Sequence, residues 1–128
     1  MNLIKSLLTL ILLATLAPSH AGDTAQQQMA EILMSMSHFP SDQQKETLNM
    51  LANDESLTDS ERTIARAMAG VQHWPSDSAK ADLAEIANNR DESTRLRELA
   101  RILGDMQHQV GGADRAVLEQ IATRETRE

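Results

Sequence analysis

His38-Phe39-Pro40-Ser41-Asp42 is repeated 35 residues later as His73-Trp74-Pro75-Ser76-Asp77, and a third, diverged copy, His108-Gln109-Val110-Gly111-Gly112, follows after the same interval. In the first two copies, proline disfavours a helix at the residue before it, and Ser followed by Asp is typical of a helix start. Each copy therefore predicts a break between two helices. A fixed period of this length is typical of helical-repeat proteins. We expect three units, each containing two helices joined at this turn.

The apolar residues repeat with the same period, and within each unit they recur at helical spacing. The equivalent sets are Met29/Ile64/Leu99, Leu33/Met68/Leu103 and Met36/Val71/Met106 in the first helices, and Leu48/Leu83/Leu118, Leu51/Ile86/Ile121 and Ala52/Ala87/Ala122 in the second. No window shows the alternation that a strand needs. A helical pair this small cannot bury its own apolar stripe, so the units must pack on one another. The sequence predicts an all-α protein with six helices in three tandem helix-turn-helix units, arranged as a short α-solenoid or as a compact helical bundle in which the third unit folds back.

Polar residues mark where the helices should begin. Ser41 with Gln44, and Thr58 with Glu61, have the spacing of a capping box. Ser76 and Ser93 are further N-cap candidates. For the first helix we predict a start at Asp23 or Thr24 and an end near His38, because Pro40 follows.

The N-terminus has the pattern of a cleaved signal peptide. Lys5 precedes an apolar run over residues 6–17, and Ser19 and Ala21 stand at positions −3 and −1 of a cleavage site. The alternative is an uncleaved membrane anchor. The run is shorter than the about 20 residues that a membrane-spanning helix needs, which favours the cleaved signal peptide. We predict a signal peptide over 1–21, a helical-repeat domain over 22–123 and a polar tail over 124–128. The predicted location is outside the cytoplasm, in a bacterial periplasm.

The composition excludes some classes of partner. The net charge is −7 and the chain has no cysteine. An acidic surface repels phosphate backbones and anionic lipids. We therefore expect no nucleic-acid partner and, after signal cleavage, no membrane partner. Stability must come from packing, since no disulfide can form.

One part of the sequence resembles HEAT-type repeats. The run Leu83-x-x-Ile86-Ala87-x-Asn89, followed by Leu96-Arg97-x-x-Ala100-x-x-Leu103-Gly104-Asp105, is similar to that family's pattern of an apolar helix, a loop acid and a hydrophobic-Arg helix start. Asp54 matches the loop acid, whereas Glu61 stands where an apolar residue belongs. The resemblance covers roughly residues 29–122 and concerns architecture. It implies a protein-binding scaffold without naming a partner.

Two patterns raise the possibility of a metal site. His38, His73 and His108 occupy the same repeat position, and imidazole is a common metal ligand. However, equivalent side chains on stacked parallel units should point in parallel, about 8–10 Å apart. We therefore expect each histidine to bond the end of its helix, with no metal and no cofactor. Met34-Ser-Met36-Ser-His38 is similar to the Met-x-Met-x-His runs of periplasmic copper proteins. Binding of copper or another metal through Met34, Met36 and the histidines is thus the alternative.

The leading hypothesis is a protein-interaction scaffold for another protein of the cell envelope. Trp74 and Phe39 are candidate partner anchors, because aromatic residues are enriched in binding hot spots. Arg97 and Arg101 share one helix face and form a candidate basic patch. The chain has no phosphate-binding loop, no nucleophile elbow and no His-Glu-x-x-His motif. We predict that it is not an enzyme, and the sequence leaves its oligomeric state open.

Overall fold

Six α-helices account for most of residues 20–123, which are the residues that the computed structural model describes. They are α1 (His20–Ser35), α2 (Asp42–Ala52), α3 (Asp59–Ala69), α4 (Asp77–Asn88), α5 (Thr94–Asp105) and α6 (Gly112–Ala122). This range contains no β-strand. The predicted all-α class with six helices in three repeated units is confirmed, and the arrangement is the compact bundle. Within 20–123, every helix is too short or too polar to cross a membrane.

The N-terminal and C-terminal segments fall largely outside this range. Of the predicted signal peptide, only His20 and Ala21 are described, and the polar tail 124–128 lies outside the described residues. α1 begins at His20, before the predicted start at Asp23 or Thr24. That prediction treated Gly22 as the first residue of the mature chain, whereas His20, Ala21 and Gly22 all belong to α1.

The predicted N-caps form at four helices. The Ser41 hydroxyl accepts from the Gln44 N–H (3.1 Å), and the Gln44 side-chain oxygen accepts from the Ser41 N–H (2.9 Å). Thr58 and Glu61 make the same reciprocal pair at α3. The hydroxyls of Ser76 and Ser93 cap α4 and α5. These bonds satisfy amide groups that have no partner within the helix, so the sequence predicts helix starts well.

The helices close into a ring with pseudo-threefold symmetry. The extensive packing pairs are α2 with α3, α4 with α5, and α6 with α1, while α1, α3 and α5 contact one another around the centre. The third pair joins the last helix to the first. The two helices of each predicted unit pack less closely than helices of neighbouring units do. The unit of packing is therefore offset from the unit of sequence by one helix.

The core consists of the apolar sets that the repeat predicted. All the first-helix sets are buried, and so are Leu48, Leu83, Leu118, Ile86, Ile121 and Ala52. Leu51, Ala87 and Ala122 are partly buried against that core. Burying a Leu, Ile or Met side chain contributes about 1.5–3 kcal/mol. Since no disulfide can form, this shared core is what holds the ring together.

A buried polar pair lies in the N-terminal turns of the central helices. Gln26 and Glu61 are equivalent positions of units one and two, and both are buried. The Gln26 amide donates to Glu61 Oε1 at 2.9 Å, while Glu61 Oε2 accepts from the Thr58 N–H. The equivalent residue of the third unit is Leu96, also buried. The same environment thus accepts an apolar residue in one unit and a hydrogen-bonded pair in the other two.

This pair predicts an asymmetric mutational response. Gln26→Leu leaves a carboxylate oxygen buried without its donor, and we expect a loss of about 1–3 kcal/mol in the free energy of unfolding. Gln26→Leu combined with Glu61→Leu removes both polar groups and should recover most of that loss. Urea unfolding of the two single variants and the double variant measures the coupling. Equal stability of Gln26→Leu and the parent would contradict the role of the pair.

Candidate functional site

Each repeated histidine lies at the tip of a very tight turn between two helices. His38, His73 and His108 have φ angles of 68°, 71° and 67°, and they are the non-glycine residues with positive φ in the described range. The Phe39 N–H donates to the Ser37 carbonyl at 2.7 Å, and the Gln109 N–H donates to the Gln107 carbonyl at the same distance. In the second unit the bond has the opposite direction, from the Gln72 N–H to the Trp74 carbonyl at 3.3 Å. In the first and third units, the bond closes around a residue with positive φ and defines a γ-turn of the rare, strained kind. α1 therefore ends at Ser35 and not near His38, because the residues that follow it form this turn.

This backbone conformation is costly for a residue with a side chain. A non-glycine residue in a sparsely populated region costs on the order of 1–3 kcal/mol. Histidine is among the residues that enter the left-handed region more often than most, but glycine enters it without strain. All three turns nevertheless have histidine at their centre. Strain of this kind is concentrated at functional sites, so the imidazoles themselves require an explanation.

The three turns are joined by a cycle of backbone hydrogen bonds. The His38 N–H donates to the His108 carbonyl (2.7 Å), the His73 N–H to the His38 carbonyl (2.5 Å), and the His108 N–H to the His73 carbonyl (2.7 Å). Each histidine backbone thus donates once and accepts once within the cycle. The cycle can form only if the first and third units meet. Closure of the bundle therefore fixes the three turns relative to one another.

The imidazole rings converge above this cycle and form what we call the His cluster (His38, His73 and His108). The Nδ1 atoms of His38 and His108 are 3.3 Å apart, and those of His73 and His108 are also 3.3 Å apart. The ring centroids are 5.2–5.3 Å apart and the ring planes are inclined by 62–78°. The Nδ1 atoms are closer together than the ring centres, so Nδ1 is the inward edge of each ring. All three residues are exposed.

The predicted parallel arrangement of these side chains is wrong. One potential ligand atom from each of the three histidines lies within 4.8 Å of the others. The prediction assumed that successive units are stacked by translation. In the structure they are related by rotation about a central axis, and side chains near such an axis point toward each other. Nor do the histidines end their helices, since α1, α3 and α5 finish before the histidine turns.

Two exposed aromatic residues flank the His cluster. Phe39 and Trp74 follow their histidines directly and are 56% and 49% exposed, and Gln109 takes the same position in the third unit. The Trp74 ring lies 6.0 Å from the His73 ring and 5.9 Å from the His108 ring, centroid to centroid. The predicted anchors Trp74 and Phe39 are thus at the surface, beside the cluster.

A surface cavity of about 300 Å³ adjoins the cluster. It is lined by His73 together with Phe39, Lys45 and Val71. Sequence reasoning missed Lys45, although a signal was present. The residues at this repeat position are Lys45, Lys80 and Arg115, so all three units are basic there in an acidic chain.

The methionines of the copper-like run do not join the histidines. Met36 is buried in the core, and Met34 is partly buried against it. His38, by contrast, is exposed and belongs to the His cluster. The Met-x-Met-x-His run therefore does not form one set of ligands. The residues brought together are equivalent positions of three units.

Of the two arginines predicted to form a basic patch, Arg101 makes ion pairs within the protein and Arg97 is half-buried. Arg101 donates to Asp114 of α6 and to Glu98, each at 2.9 Å, and these bonds raise the pKa of its guanidinium. Arg97 is half-buried, and its Nε is buried without a hydrogen-bond partner in the described structure. Arg101 therefore connects α5 to α6, and neither arginine belongs to the His cluster.

Two of the three sides of the His cluster have the nitrogen spacing that a tetrahedral metal requires. A metal held at about 2.0–2.1 Å from each of three nitrogens in a tetrahedral arrangement places those nitrogens about 3.3–3.4 Å apart. Two of the three Nδ1 pairs have this separation. Zinc held by these three residues would keep one further position for a water, and it would lower the pKa of that water to about 7.

Comparison with known proteins identifies no significant relative of this chain. No protein-family model matches the chain, and neither a curated protein nor a solved structure matches it significantly. The resemblance to HEAT-type repeats therefore stays a prediction.

Proposed function

We propose that this protein binds a divalent transition metal, zinc by preference, through the Nδ1 atoms of His38, His73 and His108. The observation that carries the proposal is the 3.3 Å separation of Nδ1 atoms that belong to different units. In the tautomer with the proton on Nε2, the three Nδ1 lone pairs point toward one another, and a cation between them would convert this repulsion into three ligand bonds. The positive φ of all three histidines supports the same conclusion, because this backbone presents imidazoles at a cost that glycine or asparagine would reduce.

Several features favour zinc over the copper alternative. Soft thioether ligands select Cu(I), but Met36 is in the core and the cluster contains only imidazoles. Imidazole suits zinc, copper and nickel alike, so coordination geometry must discriminate between them. The observed nitrogen separation fits a tetrahedral ion, which is the usual geometry of zinc. The open fourth position makes this a site for a metal with an exchangeable ligand.

Calorimetric titration tests the proposal. We expect one Zn²⁺ per chain with a Kd of about 1 µM or tighter, since the ligands are already assembled in the folded protein. Replacing one ligand, as in His73→Asn, should weaken binding at least about 100-fold. Asparagine is the matched replacement because it tolerates positive φ and lacks the imidazole. Retained helicity by circular dichroism shows that the variant still folds.

Unchanged zinc affinity in His38→Asn, His73→Asn and His108→Asn would overturn the proposal. Protein binding would then be the better-supported function, because Phe39 and Trp74 expose large apolar surfaces side by side with the cluster. Under either function, the export of the chain to a periplasm and a partner in the cell envelope stay predictions.

A further inference from the structure

A cavity of about 720 Å³ lies at the end of the bundle away from the His cluster. It is bounded by the first two turns of α1, the first turns of α5 and the second half of α6, and apolar surface predominates in its lining. The His cluster follows the opposite ends of α1 and α5, so this cavity is separate from the proposed metal site. Its volume is in the range of small-molecule pockets, about 300–1,000 Å³.

The cavity lies at the seam of the ring, by which we mean the packing of α6 on α1. In the other two packed pairs, α2 with α3 and α4 with α5, a short segment connects the two helices at this end of the bundle, over 53–58 and 89–93. At the seam, α6 is the last of the described helices and α1 is the first, so no segment connects them directly. The seam therefore lacks the connection that its two equivalents have.

The connecting segment between α4 and α5 shows which group belongs beside this helix start. Ser60 has the repeat position of Arg95, and its hydroxyl donates to the carboxylate of Glu92 in that segment. At the seam, Arg95 Nη1 is buried without a hydrogen-bond partner in the described structure, and Asp23 Oδ1 is 3.7 Å from it. Arg127 has the repeat position of Glu92, but it lies outside the described residues and has the same charge as Arg95. The place of the Glu92 carboxylate is therefore available to a carboxylate of another molecule.

The wall that α6 contributes is apolar where its equivalents are polar. Val117 is partly buried and lines the cavity beside Ile121, which is otherwise covered by the core. The repeat position of Val117 is occupied by Thr47 in α2 and by Asp82 in α4. A ligand that suits this cavity thus has an apolar body as well as a carboxylate.

The other charged groups of the lining favour a ligand without net charge. Asp23 and Glu98 line the cavity together with Arg95, and a ligand that is only an anion meets repulsion from both acids. Glu98 is engaged in an ion pair within α5, whereas Asp23 is half-exposed and makes only the long ion pair with Arg95. We propose that the cavity binds an aliphatic α-amino acid, with its carboxylate at Arg95, its ammonium group at Asp23 and its side chain against the apolar wall of α6.

Calorimetric titration of the metal-free protein with four compounds tests the proposal. L-Leucine carries all three groups, whereas 3-methylbutylamine lacks the carboxylate, glycine lacks the apolar body and 4-methylpentanoate lacks the ammonium group. We expect one leucine per chain. Glycine and 3-methylbutylamine should bind at least about tenfold more weakly, because burial of a branched side chain and a hydrogen bond to a charged group each contribute this much. 4-Methylpentanoate should bind about two- to fivefold more weakly, as for the loss of an exposed charge pair.

Arg95→Gln and Arg97→Gln are the matched variants. Both arginines are half-buried on α5 and have a buried guanidinium nitrogen without a hydrogen-bond partner in the described structure, but only Arg95 lines the cavity. We expect Arg95→Gln to weaken leucine binding at least about tenfold. Arg97→Gln should leave it unchanged within about twofold. In Asp23→Asn, leucine should lose its advantage over 4-methylpentanoate. Circular dichroism establishes that each variant is folded, and Asp23→Asn decides the matter if Arg95→Gln does not fold.

Four other outcomes would overturn the proposal. Equal affinities of the parent protein for leucine and 4-methylpentanoate would refute an amino acid as the ligand. Equal losses in Arg95→Gln and Arg97→Gln would refute the cavity as the site, and no detectable binding of any compound would refute both. Binding of leucine only to a chain that ends at Thr123 would show that residues 124–128 occupy the cavity themselves. None of these results depends on the His cluster, since no metal is present.

Discussion

Saturating Zn²⁺ should raise the midpoint of thermal unfolding by about 10–20 °C. A ligand that binds only the folded state at 100 times its Kd contributes about 2.7 kcal/mol, and each kcal/mol shifts the midpoint of a domain of this size by about 4–8 °C. The three ligands are 35 and 70 residues apart in sequence and meet only when the ring is closed. The unfolded chain therefore offers no comparable site. Circular dichroism during heating, with and without Zn²⁺, measures the shift.

His108→Asn provides the control for this shift. Asparagine keeps the left-handed backbone at residue 108 accessible and removes one ligand. Without metal, the variant should unfold within a few degrees of the parent, and added Zn²⁺ should no longer stabilise it. An alanine at this position would be a poorer control, since it would retain the backbone strain without the imidazole. A zinc-induced shift of the same size in His108→Asn would contradict the His cluster as its source.

The helices and their core could be predicted from the sequence because both depend on local patterns. Ser41 with Gln44, and Thr58 with Glu61, identify helix starts through bonds that span three residues. The apolar sets that recur every 35 residues are the buried ones. Helical spacing defines one face of each helix, and that face has to be covered whatever the arrangement of the units.

The closure of the ring could not be predicted in the same way. It depends on the rotation between successive units, which the repeat in the sequence does not specify. The three histidines also have positive φ, a conformation that their residue type alone does not require. The convergence of the Nδ1 atoms follows from the closure. The sequence thus shows that a histidine recurs every 35 residues. It does not show that the three side chains lie close together, because their proximity depends on the closed fold.

Deleting the third unit should abolish cooperative folding. A chain that ends at Asn89 lacks α5 and α6, and with them the packing partners of α4 and α1. Most of the apolar face of α1 then meets solvent, because only its smaller contacts with α2 and α3 remain. Its buried side chains, such as Met29 and Leu33, lose up to about 1.5–3 kcal/mol of burial each. The backbone cycle also opens, because His108 is removed. We expect most of the helical circular dichroism signal to disappear, together with any sharp thermal transition.

A chain that ends at Thr123 is the control for this deletion. It lacks only 124–128 and retains all six helices, so its ellipticity per residue and its melting curve should match those of the full chain. An open stack and a closed ring respond differently to loss of the last unit. In a stack, the first two units keep their mutual interface, and stability falls roughly in proportion to the interfaces that are lost. In a ring, the deletion exposes both broken ends at once. A two-unit chain that retains its ellipticity per residue and melts cooperatively would therefore contradict the ring as the unit of stability.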